Sequence, residues 1–161
     1  MKKLRRVKLL SLILISVFIL SACNKNNAYP DYLGNINYQA ENTWIENRST
    51  ETEELLEYRE ILDPEAFIQN SKVPVLVCIK QKDDYAAPKV IPWMESLAYK
   101  YKDKLNCIFI EDDPQNDYLY LFDYRVTPSF FLIKEHSIIA SASWQEENAL
   151  QKMNAEIQKL Y

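Results

Sequence analysis

Residues 75–92 read V-L-V-C-I-K-Q-K-D-D-Y-A-A-P-K-V-I-P, and residues 126–131 read V-T-P-S-F-F. The first stretch opens as a nearly continuous apolar run, the mark of a strand buried on both faces of a sheet. It continues through a polar loop into a helix with an interior proline, Pro92. The second stretch sets Pro128 immediately before another apolar strand. Asp63-Pro64, upstream, combines a helix cap with proline at the first helical position and predicts a short helix to about Asn70. Val73 to Ile79 is the first buried strand, Ala87 to Tyr101 the next helix, and Leu105 to Ile110 the next strand. Asp113-Pro114 repeats the cap-plus-proline signal and predicts a helix through about Asp123. Ser129 to Ile133 and Ile138 to Ser143 read as a hairpin around residues 134–137. Ser143-Trp144-Gln145-Glu146 has the spacing of a capping box. It precedes a helix whose Leu150, Met153, Ile157 and Leu160 share one face. With a strand beginning near Glu57, the order over residues 57–161 is β-α-β-α-β-α-β-β-α, an α/β layer fold.

That order and the two quoted stretches resemble the thioredoxin family. The resemblance implies a central mixed sheet flanked by helices, with right-handed crossovers between parallel strands. It also implies a redox Cys-x-x-Cys at residues 84–87, where this chain carries Asp84, Tyr85, Ala86 and Ala87. A thiolate nucleophile there would draw its low pKa from a helix N-terminus, and the chain offers no sulfur at those positions. Pro88 disfavours helical angles at Ala87, so the helix is expected to start about one turn later than in the family, with 82–87 as loop. Cys78 falls where the family has a buried aspartate, and Phe109 where that aspartate has a lysine neighbour. A buried charge pair is costly to keep, and its replacement fits a domain that moves no proton. Pro92 and Pro128 match two prolines the family retains, the second of them cis. In relatives the backbone at that turn pairs with extended peptides, so the resemblance makes Thr127 and Pro128 candidates for gripping a peptide, and Tyr85, an aromatic in the altered loop, is a candidate contact beside them.

Residues 1–22 read as a processing signal. Lys2, Lys3, Arg5, Arg6 and Lys8 precede the apolar run Leu9–Leu20, which is short for a permanent span. Leu20-Ser21-Ala22-Cys23 resembles a bacterial lipobox, which implies cleavage before Cys23, its acylation and a stable two-chain anchor. Residues 23–56 then form the lipidated N-terminus and a polar tether rich in Asn, with a short helix expected over Glu51–Tyr58. Losing the leader leaves 14 basic against 23 acidic side chains, a net charge of −9. That excludes a nucleic-acid partner and leaves attachment to the lipid rather than to surface charge.

Cys78 and Cys107 remain. Both fall on expected strands, and two buried free thiols are the plainer reading than a bridge between parallel neighbours. Asp83, Asp84, Glu111, Asp112 and Asp113 gather at carboxyl ends of strands, a rim with oxygens suited to calcium; Asp113 is equally a helix cap. The lone His136, in a turn, is a poor general base, and no cofactor is expected. Tyr85, in a loop without apolar period, is expected to be exposed. The leading expectation is therefore a membrane-anchored, extracytoplasmic, non-catalytic thioredoxin-like lipoprotein that binds a protein or peptide. It resembles small lipoproteins of Gram-positive bacteria, some tied to peptide or bacteriocin export. The alternatives are a thiol-disulfide oxidoreductase using Cys78 or Cys107, and a cation-binding module at the acidic rim.

Overall fold

The structure is a computed structural model and describes residues 29–161. The leader and Cys23 lie outside the described residues. Seven strands form one sheet: β1 (Leu33–Ile36), β2 (Asn42–Asn47), β3 (Leu56–Ile61), β4 (Val75–Lys80), β5 (Asn106–Glu111), β6 (Ser129–Lys134) and β7 (Ser137–Ser143). Their order across the sheet is β1-β3-β2-β5-β4-β6-β7. Helix α1 (Pro64–Asn70) follows β3, α2 (Ala87–Lys100) connects β4 to β5, and α3 (Ala149–Gln158) closes the chain.

β4 and β5 are parallel, with Val77 opposite Ile108, whereas β4–β6 and β6–β7 are antiparallel. The apolar runs of β4, β5 and β6 are buried on both faces, which is why they lack alternation, while β7 is the exposed edge strand. On one face α2 and α3 pack over Leu76, Cys78, Cys107, Phe109 and Phe130. On the other, Phe67 of α1 and Phe122 cover Val77, Ile108 and Phe131. Asp63 caps α1 by accepting from the Ala66 N–H at 2.9 Å. The β6–β7 turn holds Glu135 and His136 at φ 51° and 65°, the left-handed pair that matches a two-residue hairpin to strand twist.

Four expectations are corrected. The segment expected as tether, 23–56, contributes β1 and β2, and β2 lies inside the sheet between β3 and β5. The domain therefore begins well before residue 57. Its burial rests on polar pairing as much as on apolar area. Glu46 accepts from Arg59 Nε at 2.8 Å, and Asn116 Nδ2 donates to Asn42 at 2.8 Å. The helix expected over Glu51–Tyr58 is instead a loop running into β3. The helix expected from Asp113 is a single 3₁₀ segment, Asp117–Leu121, because Asp113 is spent on the Gln115 N–H while Asn116 caps Tyr118. The last helix starts at Ala149, later than the capping box suggests. The Ser143 N–H does donate to Glu146 at 2.8 Å, but left-handed Asn148, φ 59°, breaks the chain before the helix.

Candidate functional site

The antiparallel register opposes Ile79 of β4 to Ser129 of β6. The loop leaving β4 and the turn entering β6 therefore share one edge of the sheet. That edge holds residues 81–86 and Thr127-Pro128. Glu111 also reaches it, because β5 runs parallel to β4 with Lys80 opposite Glu111.

Asp84 does not stand free in its loop. It is 7 % exposed, its Oδ1 accepts from the Ala86 N–H at 2.9 Å and its carbonyl from the Ala87 N–H at 3.0 Å. This tight turn delivers Ala87 into α2 directly, with Pro88 in the first turn, where its missing N–H costs nothing. Residues 82–86 are loop and turn, and α2 begins at Ala87, one residue inside the loop expected over 82–87. Ala86 is buried among the α2-side core residues, and Tyr85, 75 % exposed, projects from the turn.

The Thr127–Pro128 bond is cis. The Pro128 carbonyl accepts from the Trp144 N–H at 2.8 Å, and Ser129 Oγ donates to the Val126 carbonyl at 2.6 Å. Among the described residues, the Thr127 N–H and C=O have no hydrogen-bond partner. Below the turn, Phe130 is fully buried and meets the Trp93 ring edge-on at 5.3 Å. Trp93 in turn donates to Asn154 at 3.0 Å. A hollow of about 410 Å³ opens beside the turn, lined by Tyr124, Val126, Ser129, Ser143 and Glu146 among others.

Both remaining cysteines are free, fully buried and face the α2 side. Burial pushes the Cys78 thiol well above its ordinary range, with Asp84 adding to the rise and Lys80 opposing it. Burial alone does the same at Cys107. They are not a register pair: Cys107 faces Leu76, and Cys78 faces Phe109. The rim carboxylates are dispersed into local duties. Asp84 and Asp113 hold turns, and Asp112 accepts from Tyr124 at 2.5 Å. Among the described residues no three metal-ligating side chains converge.

The β4-α2-β5 parallel unit, the β6–β7 hairpin, the closing helix and the cis proline at the edge now stand together. The fold is thioredoxin-like. Solved structures similar to the chain include the long form of thioredoxin f from spinach chloroplast, at TM-score 0.46 and 23% identity over 53% of this chain and 69% of that one. Another is the germline-specific thioredoxin Deadhead of Drosophila melanogaster, at TM-score 0.48 and 17% identity over 56% and 84%. No model of a known family matches the sequence, and no curated protein matches it.

The sequence located Tyr85, Thr127 and Pro128 on this edge but missed what completes it. Trp144 secures the turn through its backbone, a contact with no side-chain signal. Asp84 stands at a vacated cysteine position in the family pattern, yet an Asp three residues ahead of a helix start is itself a turn signal.

Proposed function

We propose that this protein is a lipid-anchored, extracytoplasmic binding module that captures an extended protein or peptide segment without dithiol chemistry. The observation that carries the reading is that the Thr127 N–H and C=O, unpaired among the described residues, lie at the same sheet edge as the exposed Tyr85 ring. An extended segment laid against Thr127 satisfies both groups in the manner of an added strand, with Tyr85 supplying aromatic contact area. The absence of sulfur at 84–87 and the burial of Cys78 and Cys107 support a role in holding rather than in oxidising or reducing. Cys23 supplies the anchor, and a part in peptide export is the setting that family resemblance suggests.

The test uses residues 24–161 and reduced, alkylated insulin B chain as the probe peptide. Titration should shift the Thr127, Ser129 and Tyr85 amide resonances, and Tyr85→Ala should weaken the effect. Intact insulin should be reduced by dithiothreitol no faster with the protein than without it. Catalysed reduction would favour the oxidoreductase reading instead, and amide shifts confined to another face would remove the assigned site. In cells, acyl labelling and membrane retention should both vanish in Cys23→Ala.

A further inference from the structure

The first described residue is fastened to the sheet. The Tyr29 hydroxyl donates to Glu46 at 2.6 Å and accepts from Arg48 at 2.9 Å. Its ring lies under the Arg59 guanidinium, 3.6 Å from centroid to Cζ. Arg59 is itself held by Glu46 at 2.8 Å and by the Gly34 carbonyl at 3.1 Å. Arg48 adds Glu57 at 3.0 Å. This is a partly desolvated charge network in which Tyr29, Glu46, Arg48 and Arg59 each have more than one partner, while Glu57 joins through its ion contact with Arg48 alone and its buried Oε2 makes no hydrogen bond.

The network's place in the sheet is defined. Asn42 of β2 faces Ile110, so β2 begins at the edge that carries Tyr85 and Thr127. Glu46 and Arg48 lie at the far end of that strand. Thr127 enters β6, three strands away across β5 and β4, or about 14 Å sideways at usual strand spacing. Tyr29 is thus secured to the half of the sheet remote from the candidate site.

We infer that Tyr29 is a mounting point that presents this half of the domain to the lipid surface and turns the Tyr85–Thr127 edge away from it. The inference rests on the proposed acylation of Cys23. Six peptide steps separate Cys23 from Tyr29, and fully extended they span about 20 Å. The attachment is a short leash on a fixed residue, in place of the long tether expected for 23–56. Charge acts in the same direction. The end near Arg48 mixes Lys72, Lys100, Lys102 and Lys104 with Glu51, Glu53, Glu54 and Asp103. The opposite end gathers Asp83, Asp84, Glu111, Asp112, Asp113 and Asp117 against Lys80, Lys82 and Arg125. An anionic bilayer repels the acidic end within a Debye length and tolerates the mixed one.

The experiment uses the full acylated protein in phosphatidylcholine–phosphatidylglycerol vesicles containing a headgroup-nitroxide lipid. A fluorophore is placed on Glu53→Cys, in the β2–β3 loop beside Arg48, or on Asp83→Cys, both exposed positions, while the native thiols stay buried. Quenching should be several-fold stronger at 53 than at 83. Adding Tyr29→Ala should erase the difference while the protein stays on the vesicles. Equal quenching at the two positions in the otherwise native chain would overturn the mounting, as would a difference that survives Tyr29→Ala. Failure to float with vesicles at all would overturn the acylation reading first, and is distinguished from the other outcomes by that readout.

Discussion

A chain starting at residue 57, where the alternating pattern begins, should not fold, whereas one starting at residue 29 should. The difference is β2. It fills the gap between β3 and β5, with Thr43, Trp44 and Asn42 each facing a β5 residue. Its Ile45 is 2 % exposed in the core under α2, and burial of such a side chain contributes about 2 kcal/mol. Each lost ladder hydrogen bond removes about 1 kcal/mol more, and β2 bonds on both sides. Removing residues 29–56 also takes away the Tyr29 ring, the Gly34 carbonyl and the Glu46 carboxylate that pack and pair with Arg59, opening that face of β3 to water. Taken together the loss is about 8 kcal/mol or more, against a whole-domain stability of about 5–15 kcal/mol. Urea titration of the two fragments, followed by far-UV circular dichroism and tryptophan emission, reads the outcome. A cooperative transition in residues 57–161 with the midpoint of residues 29–161 would refute the placement of β2 and all reasoning that uses it.

Phe130→Ala should destabilise the domain by about 3–5 kcal/mol, measured by urea unfolding, since Phe130 is fully buried against Trp93. Asp84→Ala should cost about 1–2 kcal/mol by leaving the buried Ala86 N–H without its acceptor, with amide exchange quickening at Ala86 and Ala87 ahead of the rest of α2. Stability should also decline at alkaline pH. The folded thiols at Cys78 and Cys107 are held protonated by burial, so the stabilisation is complete below the ordinary thiol pKa of about 8.5 and is lost as pH rises above it, because only the unfolded thiols ionise there. The limiting slope is about 1.4 kcal/mol per pH unit for each thiol. Cys107→Ala should flatten the decline, and an unchanged pH profile would count against buried, neutral thiols.

The clearest strands in the sequence are β4, β5 and β6, whose centres are runs of Val, Leu, Cys, Ile and Phe bounded by turns. β7 is legible as the second arm of a hairpin rather than as an apolar run. β2 reads N-T-W-I-E-N, and it is inside the sheet all the same. Its Asn42, Thr43 and Glu46 are buried with partners supplied from remote positions, Asn116 and Arg59 among them. Hydropathy cannot register a polar residue whose partner lies far along the chain. The 3₁₀ segment failed for a local reason. Asp113-Pro114 is a valid cap, but Asn116 offers a second one three residues on, and competing caps of similar strength leave too few residues before Phe122 for a settled α-helix. The candidate edge was legible in its residue types at 84–87 and 126–128. That Asp84 closes a turn, and that Trp144 secures the cis-proline carbonyl, depends on geometry between separate elements.

The buried polar pairs also bear on what the domain is for. A sheet extended only by apolar strands would leave its N-terminal segment to find a place by hydrophobic contact, which fixes register weakly in a strand with so few apolar residues. Glu46–Arg59 and Asn42–Asn116 tolerate no slip, because a one-residue shift turns each polar group to the opposite face and leaves its partner unpaired and buried. Charge pairs in such settings contribute more to uniqueness than to net stability. Replacing Glu46 and Arg59 together by Leu and Met should therefore leave the unfolding midpoint near its original value while freeing Tyr29 from its principal contacts. The fluorescence emission and backbone resonances of residues 29–36 should broaden, yet Thr127 and Tyr85 should be undisturbed on the other side of the sheet. If the double replacement instead unfolded the domain, the network would be a source of stability in its own right, and its role in fixing the first strands would lose its physical basis.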